Sequence, residues 1–330
     1  MLYRFLKKKF TDMIYTRADD TGAVFYFSAA DFPGLHSAHY PVASCLGHTL
    51  SGYFYWCDGY REDRLVVFEH GMGSGHTGYM TEIALLCAHG FRVFAYDHTG
   101  CMESGGSDTG GFAQSLIDCN DVIKALRADP DYADLQISVI GHSWGGLSAV
   151  NIAALHPDIT HIVALAPPIS TPQLITHMVP PSLKKYAVRF SDEERKKKPA
   201  YYDFDARESL TKTNAHILIL HSADDKVVAA AYHFDLLRAA LSGRDNIRFV
   251  ELHGKAHNPN YTEDSVQYKD AFFAEYQRAM KKKQLRTDAQ KSAFKARWDW
   301  RRMTAQDNDV WAIIFETLDK PVPKEYTNAE

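Results

Sequence analysis

The pentapeptide Gly-His-Ser-Trp-Gly at residues 141–145 carries one serine, Ser143, between two glycines. An apolar run at Gln136–Ile140 leads into it, and a helix-like stretch at Trp144–Leu155 leads out of it. A nucleophilic serine needs such a strand-to-helix turn, because the strained backbone presents the hydroxyl and the glycines leave room for neighbouring chain. The pattern predicts that Ser143 attacks a carbonyl carbon. The alternative interpretation is a glycine-rich turn with an incidental serine.

A base and a carboxylate must accompany this serine, because a serine hydroxyl is a poor nucleophile at neutral pH. Two acidic residues, Asp224 and Asp225, follow one predicted strand, and two histidines, His253 and His257, follow the next. The carboxyl ends of parallel strands meet at one edge of a sheet, so these side chains are expected to open onto the same crevice as the serine. The chain order Ser, Asp, His is one that this chemistry uses.

A glycine-rich loop at His70–Gly75 follows a further predicted strand. Its backbone N–H groups could stabilise negative charge that develops on a substrate oxygen. We expect the N–H groups of Met72 and Trp144 to form this oxyanion hole, the second because it follows the nucleophile. A phosphate-binding loop is the alternative, since glycine-rich turns also cradle phosphates. The absence of G-K-[ST] and G-x-G-x-x-G patterns after the loop disfavours it.

The elements that must position these groups follow a regular order. From Leu65 onward, short apolar runs alternate with helix-like stretches, which is typical of βαβ units around a parallel sheet. The predicted strands are Leu65–Glu69, Phe91–Tyr96, Gln136–Ile140, His161–Leu165, His216–Leu220 and Ile247–Leu252. The predicted helices are Met80–His89, Gly111–Ala128, Trp144–Leu155 and Ala229–Leu241. Aromatic runs at Val24–Phe27 and Gly52–Trp56 predict antiparallel strands before the parallel set.

The predicted fold class is therefore α/β, with a mostly parallel twisted sheet, antiparallel N-terminal strands and helices on both faces. Residues 1–166 and 215–280 form the expected core, and residues 167–214 an insertion that we expect to cap one end of the sheet and to select the substrate. Residues 281–330 are expected to form a helical tail that packs on the core or on a second subunit of a homodimer. The expected substrate-binding residues are His70, Gly71, His142 and Met178.

Composition excludes several classes of partner. The formal net charge is −4, from 37 basic and 41 acidic residues, so no global positive field attracts nucleic acid. Five cysteines without a C-x-x-C spacing argue against a disulfide framework or a thiolate metal site and fit a reducing compartment. The pair His36 and His39 has ligand-like spacing but no third ligand nearby, so we expect a surface loop and no metal. No apolar span of about 20 residues occurs. We therefore expect a cytoplasmic protein without stable membrane insertion.

These motifs together resemble the α/β-hydrolase superfamily, nearest to the group that contains monoacylglycerol lipases, carboxylesterases and serine aminopeptidases. The resemblance runs from about Leu65 to Tyr276 and implies the α/β-hydrolase fold. It rests on the serine turn, on the His70 loop and on Asp97–Gly105, which follows the family's D-x-x-G-x-G-x-S pattern with Met102 in a glycine position.

The resemblance also selects among the candidate acids and bases. The stretch His221–Val228 follows the family's H-G-x-x-D-x-x-V pattern, with a serine at 222 where the family has glycine. This alignment implies Asp225 rather than Asp224 as the acid. The family's histidine lies just past the last strand, which implies His257 rather than His253 as the base.

The expected activity is hydrolysis of a small-molecule carboxylic ester through an acyl-enzyme on Ser143, without metal or organic cofactor. Apolar and aromatic residues in 167–214 suit a short acyl, aromatic or monoacylglycerol-like ester. A serine aminopeptidase or amidase is the alternative, and it would need an acid that binds the substrate's amino group. The candidates for that acid are Glu103, Asp192, Glu193 and Glu194. An alternative of another class is a catalytically silent ligand-binding protein.

Overall fold

An eight-stranded sheet forms the centre of the molecule, and two further short strands pair with each other. The structure is a computed structural model that describes residues 2–323. The strands are β1 (His36–His39), β2 (Val42–Ala43), β3 (Thr49–Leu50), β4 (Gly52–Trp56), β5 (Arg64–Glu69), β6 (Arg92–Tyr96), β7 (Gln136–His142), β8 (His161–Leu165), β9 (His216–Ser222) and β10 (Ile247–Leu252). The order across the sheet is β1-β4-β6-β5-β7-β8-β9-β10. The pairs β1–β4 and β4–β6 are antiparallel and the others are parallel.

The predicted fold class is confirmed, and all six strands predicted after residue 64 are present. Gly52–Trp56 is an antiparallel strand, as expected, but the strand predicted at Val24–Phe27 is wrong. The rings of Phe25 and Phe27 lie 5.0 Å apart and pack against helices of the C-terminal tail instead of joining a ladder. The loop expected at His36 and His39 is also wrong, since these residues form the edge strand β1, with all four residues exposed.

Helices cover both faces of the sheet. They are α1 (Leu2–Ile14), α2 (Met80–Ala88), α3 (Gln114–Ala128), α4 (Trp144–Asn151), α5 (Thr171–Met178), α6 (Lys184–Lys197), α7 (Ala206–Ser209), α8 (Phe234–Leu241), α9 (Glu263–Lys281), α10 (Asp288–Lys295), α11 (Trp300–Met303) and α12 (Asn308–Leu318). Apolar residues of α3, α4 and α8 share one buried cluster with the sheet, and those of α2 and α12 share another. Strands buried on both faces read as continuous apolar runs, which is why β5 and β8 were recognisable in the sequence.

The C-terminal tail contributes to the core through α12. Val310, Ile314 and Leu318 are buried and pack with Val66 and Phe68 of β5. Their spacing of three to four residues is that of one helix face. These residues therefore cover the sheet of their own chain.

Helix α1 packs against α6, within the segment that was expected to be a cap. The ring of Phe10 stacks on Phe190 with centroids 4.8 Å apart, and Lys7 forms an ion pair with Glu193 at 2.8 Å. The apolar face of α1 is thereby buried against α6. In residues 2–323, no helix combines the length and the apolar character that crossing a bilayer requires.

Candidate active site

Ser143 lies at the junction of β7 and α4 in a conformation that few non-glycine residues adopt, with φ 55° and ψ −113°. The two flanking glycines make this turn possible. A Cβ atom on Gly141 would lie 2.1 Å from the carbonyl oxygen of Gly145, and one on Gly145 would lie 2.1 Å from the carbonyl oxygen of Glu69. Any larger residue at either position would collide with backbone, so the pattern seen in the sequence has a steric cause.

The hydroxyl of Ser143 meets the two downstream candidates in a hydrogen-bonded row. Ser143 Oγ lies 2.8 Å from His257 Nε2, and His257 Nδ1 lies 2.7 Å from Asp225 Oδ2. An ionised carboxylate only accepts hydrogen bonds, so Nδ1–H donates to Asp225 and Nε2 accepts from the serine. The three residues follow β7, β9 and β10, whose carboxyl ends lie at one edge of the parallel sheet. His253, the other candidate histidine, is exposed on the surface.

The carboxylate of Asp225 is buried but well supplied with donors. Its Oδ1 accepts the backbone N–H groups of Val227 at 2.8 Å and Val228 at 3.0 Å. Burial by itself raises the pKa of Asp225, but the contacts with His221 and His257 outweigh it and hold that pKa well below the usual value. Asp225 is therefore ionised at neutral pH and can fix the tautomer of His257.

Asp224 supports the loop that carries the histidine instead of touching the histidine ring. It accepts the backbone N–H groups of Gly254 at 3.0 Å and Ala256 at 3.3 Å. Ser222, where the family has glycine, donates its hydroxyl to Asp224 at 2.5 Å and accepts the Lys255 N–H at 3.2 Å. The departure from the family pattern thus adds hydrogen bonds to the loop.

The two backbone N–H groups expected to form an oxyanion hole are free of protein acceptors. In the described part of the chain, neither Met72 N nor Trp144 N donates a hydrogen bond. Trp144 is the first residue of α4, and N–H groups in the first turn of a helix have no partner within the helix. Its indole is anchored separately, because Nε1 donates to the Phe112 carbonyl at 2.7 Å. Both amides are therefore available to an oxyanion.

His142 links three parts of the site. Its Nε2 donates to the carbonyl oxygen of His257 at 2.7 Å, and its Nδ1 accepts from the Tyr79 hydroxyl at 2.8 Å. That hydroxyl in turn accepts the Gly71 N–H at 3.0 Å. Burial is the main cause that lowers the pKa of His142 to about 3, so the ring is neutral. The turn at Ser143, the loop His70–Gly75 and His257 are thus joined by one chain of hydrogen bonds.

Three of the four residues expected to bind substrate, His70, Gly71 and Met178, do not line the pocket beside the triad. His70 is fully buried, and both ring nitrogens contact backbone, Nδ1 at Gly71 O and Nε2 at His98 N. Met178 packs in the apolar cluster that holds Trp144 and α1. His70 therefore supports the backbone of the loop, and Met178 packs α5 against Trp144 and α1.

The turn at Asp97–Gly105 holds the residue that follows the loop His70–Gly75. Asp97 Oδ1 accepts from the backbone N–H of His76 at 2.8 Å and from its ring Nδ1 at 2.7 Å. Met102, which stands in a glycine position of the family pattern, has φ 42°. This left-handed conformation is one that glycine adopts without strain, which explains the family's preference.

The loop that carries His257 is attached to the C-terminal tail through a buried lysine. Lys255 Nζ forms an ion pair with Asp307 Oδ2 at 2.5 Å and donates to the Tyr261 carbonyl at 2.9 Å. Asp307 also caps α12, since its Oδ1 accepts the N–H groups of Asp309 and Val310. The loop that carries His257 is thus held in part by Asp307, which lies 52 positions after Lys255.

We expect Asp307→Asn to lower the free energy of unfolding by roughly 1–3 kcal/mol, because the buried Lys255 ammonium loses its charged partner. Asparagine still caps a helix, so the change isolates the ion pair. Burial by itself raises the pKa of Asp307, but its contacts with Lys255 and with backbone N–H groups outweigh burial and leave that pKa below its usual value. The difference should therefore begin to shrink as the pH falls below about 4, the ordinary pKa of an aspartate, and should be lost only as the pH falls through the lower pKa of the folded protein.

Urea denaturation at pH 7 and pH 3 measures this difference. Asp309→Asn, an exposed acid on the same helix, is the matched control and should leave stability within about 0.5 kcal/mol of the parent. Equal effects of the two substitutions would contradict the proposed role of the pair.

A cavity of about 460 Å³ adjoins the triad. His257, His142 and Met72 line it together with residues from 19–27, from the loop 73–79, from α9 and from 300–304. None of the described residues in 167–214 lines it. The expectation that this insertion selects the substrate therefore does not hold for this cavity.

The signals that could have revealed these walls were present but ambiguous. The aromatic run at 24–27 resembled a strand, and the aromatic residues of α9 resembled an ordinary helix face. In residues 2–323, no group of three or more histidine, cysteine or acidic side chains is arranged to hold a metal ion.

Comparison with known proteins agrees with this fold. Residues 60–200 match the family model described as serine aminopeptidase S33. Monoglyceride lipase of Mus musculus is 31% identical over 121 residues, which are 35% of this chain and 38% of the mouse protein. The chain matches about a third of the length of the curated relatives.

Solved structures show the same fold over most of the chain. An esterase of Pyrococcus furiosus superimposes with a TM-score of 0.57 and 18% identity, covering 78% of this chain and 96% of that one. An esterase domain from Rhodothermus marinus gives a TM-score of 0.50 and 18% identity, covering 73% and 97%. At such identities the likeness concerns the fold alone. The chain therefore has the α/β-hydrolase fold, and its residues 60–200 resemble the serine aminopeptidase S33 family.

Proposed function

We propose that this protein is a serine hydrolase that cleaves carboxylic esters through an acyl-enzyme on Ser143. The observation that carries the proposal is the row of two short hydrogen bonds that joins Ser143 to His257 and His257 to Asp225, at 2.8 and 2.7 Å. Nucleophile, base and orienting acid in this geometry perform acyl transfer on several unrelated folds.

In the proposed reaction, Ser143 Oγ attacks the ester carbonyl while His257 Nε2 takes the hydroxyl proton. The carbonyl oxygen becomes an oxyanion that accepts the N–H groups of Met72 and Trp144. The tetrahedral intermediate collapses, and His257 returns the proton to the departing alcohol oxygen. Water then attacks the acyl-enzyme with His257 as base, which releases the acid and restores Ser143.

Ester cleavage is favoured over removal of an N-terminal amino acid by the charges around the cavity. An aminopeptidase needs an acid near the scissile bond to bind an ammonium group. Of the acids considered from the sequence, Glu103 bonds to Ser51 and Tyr53, and Glu193 bonds to Tyr3 and Lys7. None of the four lines the cavity beside His257. The two acids that do line it, Asp19 and Asp270, share it with the Lys269 ammonium group, which repels a substrate ammonium.

The nucleophile can be identified by covalent labelling. A fluorophosphonate probe reacts with serines that an adjacent base activates, so we expect one labelled site, and peptide mapping should find it at Ser143. Heat-denatured protein is the control and should not be labelled. Labelling that maps to another serine, or no labelling of the folded protein, would remove the proposed mechanism.

The bond that is cleaved can be determined with paired substrates. We expect p-nitrophenyl esters of two to eight acyl carbons to be hydrolysed with a kcat/KM well above that of aminoacyl p-nitroanilides. Both substrate classes release a chromophore, so one absorbance assay compares them. Faster cleavage of the anilides would contradict ester hydrolysis as the main activity and support an aminopeptidase.

A further inference from the structure

A single lysine lies among the aromatic walls of the cavity beside the triad. Lys269 projects from α9 and is half-buried. Its Nζ donates to Asn258 Oδ1 at 3.0 Å and lies 4.6 Å from the centre of the Tyr261 ring. In residues 2–323, no carboxylate oxygen lies within 4.0 Å of this ammonium group. Lys269 is therefore a cation without an ion-pair partner in the described protein.

The acids nearest to Lys269 do not neutralise it. Burial is the main cause that lowers its pKa, while Glu82 and Asp270 act in the opposite direction. Glu82 is itself buried, and burial raises its pKa, which favours the uncharged acid. Asp270 is exposed to solvent, which screens its charge. Neither acid therefore neutralises the charge of Lys269, so an anionic ligand can still form a favourable ion pair with it.

The ammonium group also has hydrogen-bonding capacity to spare. It carries three N–H donors, and Asn258 accepts one of them. A partly desolvated cation with free donors is complementary to an anion, because charge-assisted hydrogen bonds are stronger than neutral ones. The carboxylates of Asp19 and Asp270, which line the same cavity, disfavour a ligand group with two negative charges.

The walls around this cation suit a flat ring. Nine of the lining residues are phenylalanine, tyrosine or tryptophan. Phe272 and Trp300 lie with ring centroids 5.3 Å apart, and Phe25 and Trp300 with centroids 6.2 Å apart. Aromatic surfaces of this kind bind aromatic ligands by stacked or edge contacts.

The position of the lysine also indicates which half of the ester it would contact. Its partner Asn258 directly follows His257, the group that protonates the departing oxygen in the proposed reaction. His257 itself lines the cavity and Ser143 does not, which favours the alcohol or phenol half of the ester as the occupant. We propose that the cavity binds the leaving group of aryl esters that carry a carboxylate on the ring, and that Lys269 selects them by pairing with that carboxylate. This inference rests on the proposed ester hydrolysis and specifies its substrate class.

The test compares 4-acetoxybenzoate with 4-acetoxybenzamide, which have similar shape and differ in charge. We expect the parent protein to prefer the anion in kcat/KM. Lys269→Met keeps most of the side-chain volume and should lower the ratio of the two kcat/KM values by roughly 10- to 100-fold, with little change for the amide. Lys269→Arg should retain part of the preference. Lys281→Met, an exposed lysine at the end of the same helix, should leave the ratio unchanged.

The outcomes separate this inference from the proposed function. A ratio that stays at the parent value in Lys269→Met, or an equal loss on both esters, would overturn the carboxylate site while leaving ester hydrolysis intact. If the parent cleaved neither ester, calorimetric binding of 4-hydroxybenzoate would decide the site alone. Binding that is at least 10-fold weaker in Lys269→Met supports the inference, and absent binding to the parent or equal binding to both overturns it.

Discussion

Replacing Ser143 with alanine is expected to lower kcat for a p-nitrophenyl ester by roughly ten-thousand- to a million-fold. The substitution removes the atom that forms the acyl-enzyme, and the oxyanion hole and binding alone then supply the residual rate. The φ of 55° is less favourable for alanine than for glycine but is already tolerated by serine, so the fold should persist. Initial rates at saturating substrate, with thermal unfolding as a check of folding, measure the effect.

The matched control is Ser242→Ala, which removes the hydroxyl of an exposed serine after α8. It should leave kcat within about twofold of the parent, since surface substitutions of this kind change little. Turnover by folded Ser143→Ala at a rate near that of the control would sink the acyl-enzyme mechanism.

The second large effect is expected from Asp225→Asn, which should lower kcat by about ten-thousand-fold. Asparagine fits the same space but has no negative charge to stabilise the protonated His257. Its amide can also favour the tautomer with the proton on Nε2, which cannot accept the serine proton. The KM should change much less than kcat, because the acid contacts His257 and not the substrate.

Asp224→Asn is the control for this experiment, because the two acids are neighbours with different partners. Asp224 accepts backbone N–H groups of the loop 254–256, and an asparagine oxygen can still accept some of them. We expect a decrease in kcat of less than about tenfold. A larger loss in Asp224→Asn than in Asp225→Asn would reverse the assignment of the acid.

Much of the wall of the cavity lies outside the segment that matches the family model. The match covers residues 60–200, which include the loop His70–Gly75 and Ser143, whereas the walls at 19–27 and at 258–304 lie outside it, as do Asp225 and His257. Substrates of the matched relatives need not fit a cavity that is built from other residues.

Local features of the chain were sufficient to predict the turn at Ser143 and most of the sheet. The glycines around Ser143 are required because a Cβ there meets backbone only a few residues away or on the next strand. The strand β8 has the predicted bounds because buried strands of a parallel sheet are short, continuous apolar runs. Such signals lie within a few residues of each other, so they can be read from the sequence.

Contacts between distant segments were decided only by the tertiary structure. The aromatic run at 24–27 has the composition of a strand, but its rings pack on the C-terminal tail. Aromatic residues are favoured by side-chain packing as well as by strand pairing, so their presence alone does not predict a strand. The pairing of Lys255 with Asp307 and the exposure of Lys269 to the cavity likewise depend on how α9 and α12 lie against the sheet. The turn at Ser143 and the strands are thus encoded locally, whereas the contact of Ser143 with His257 and the shape and charge of the cavity arise from residues that meet only when the chain is folded.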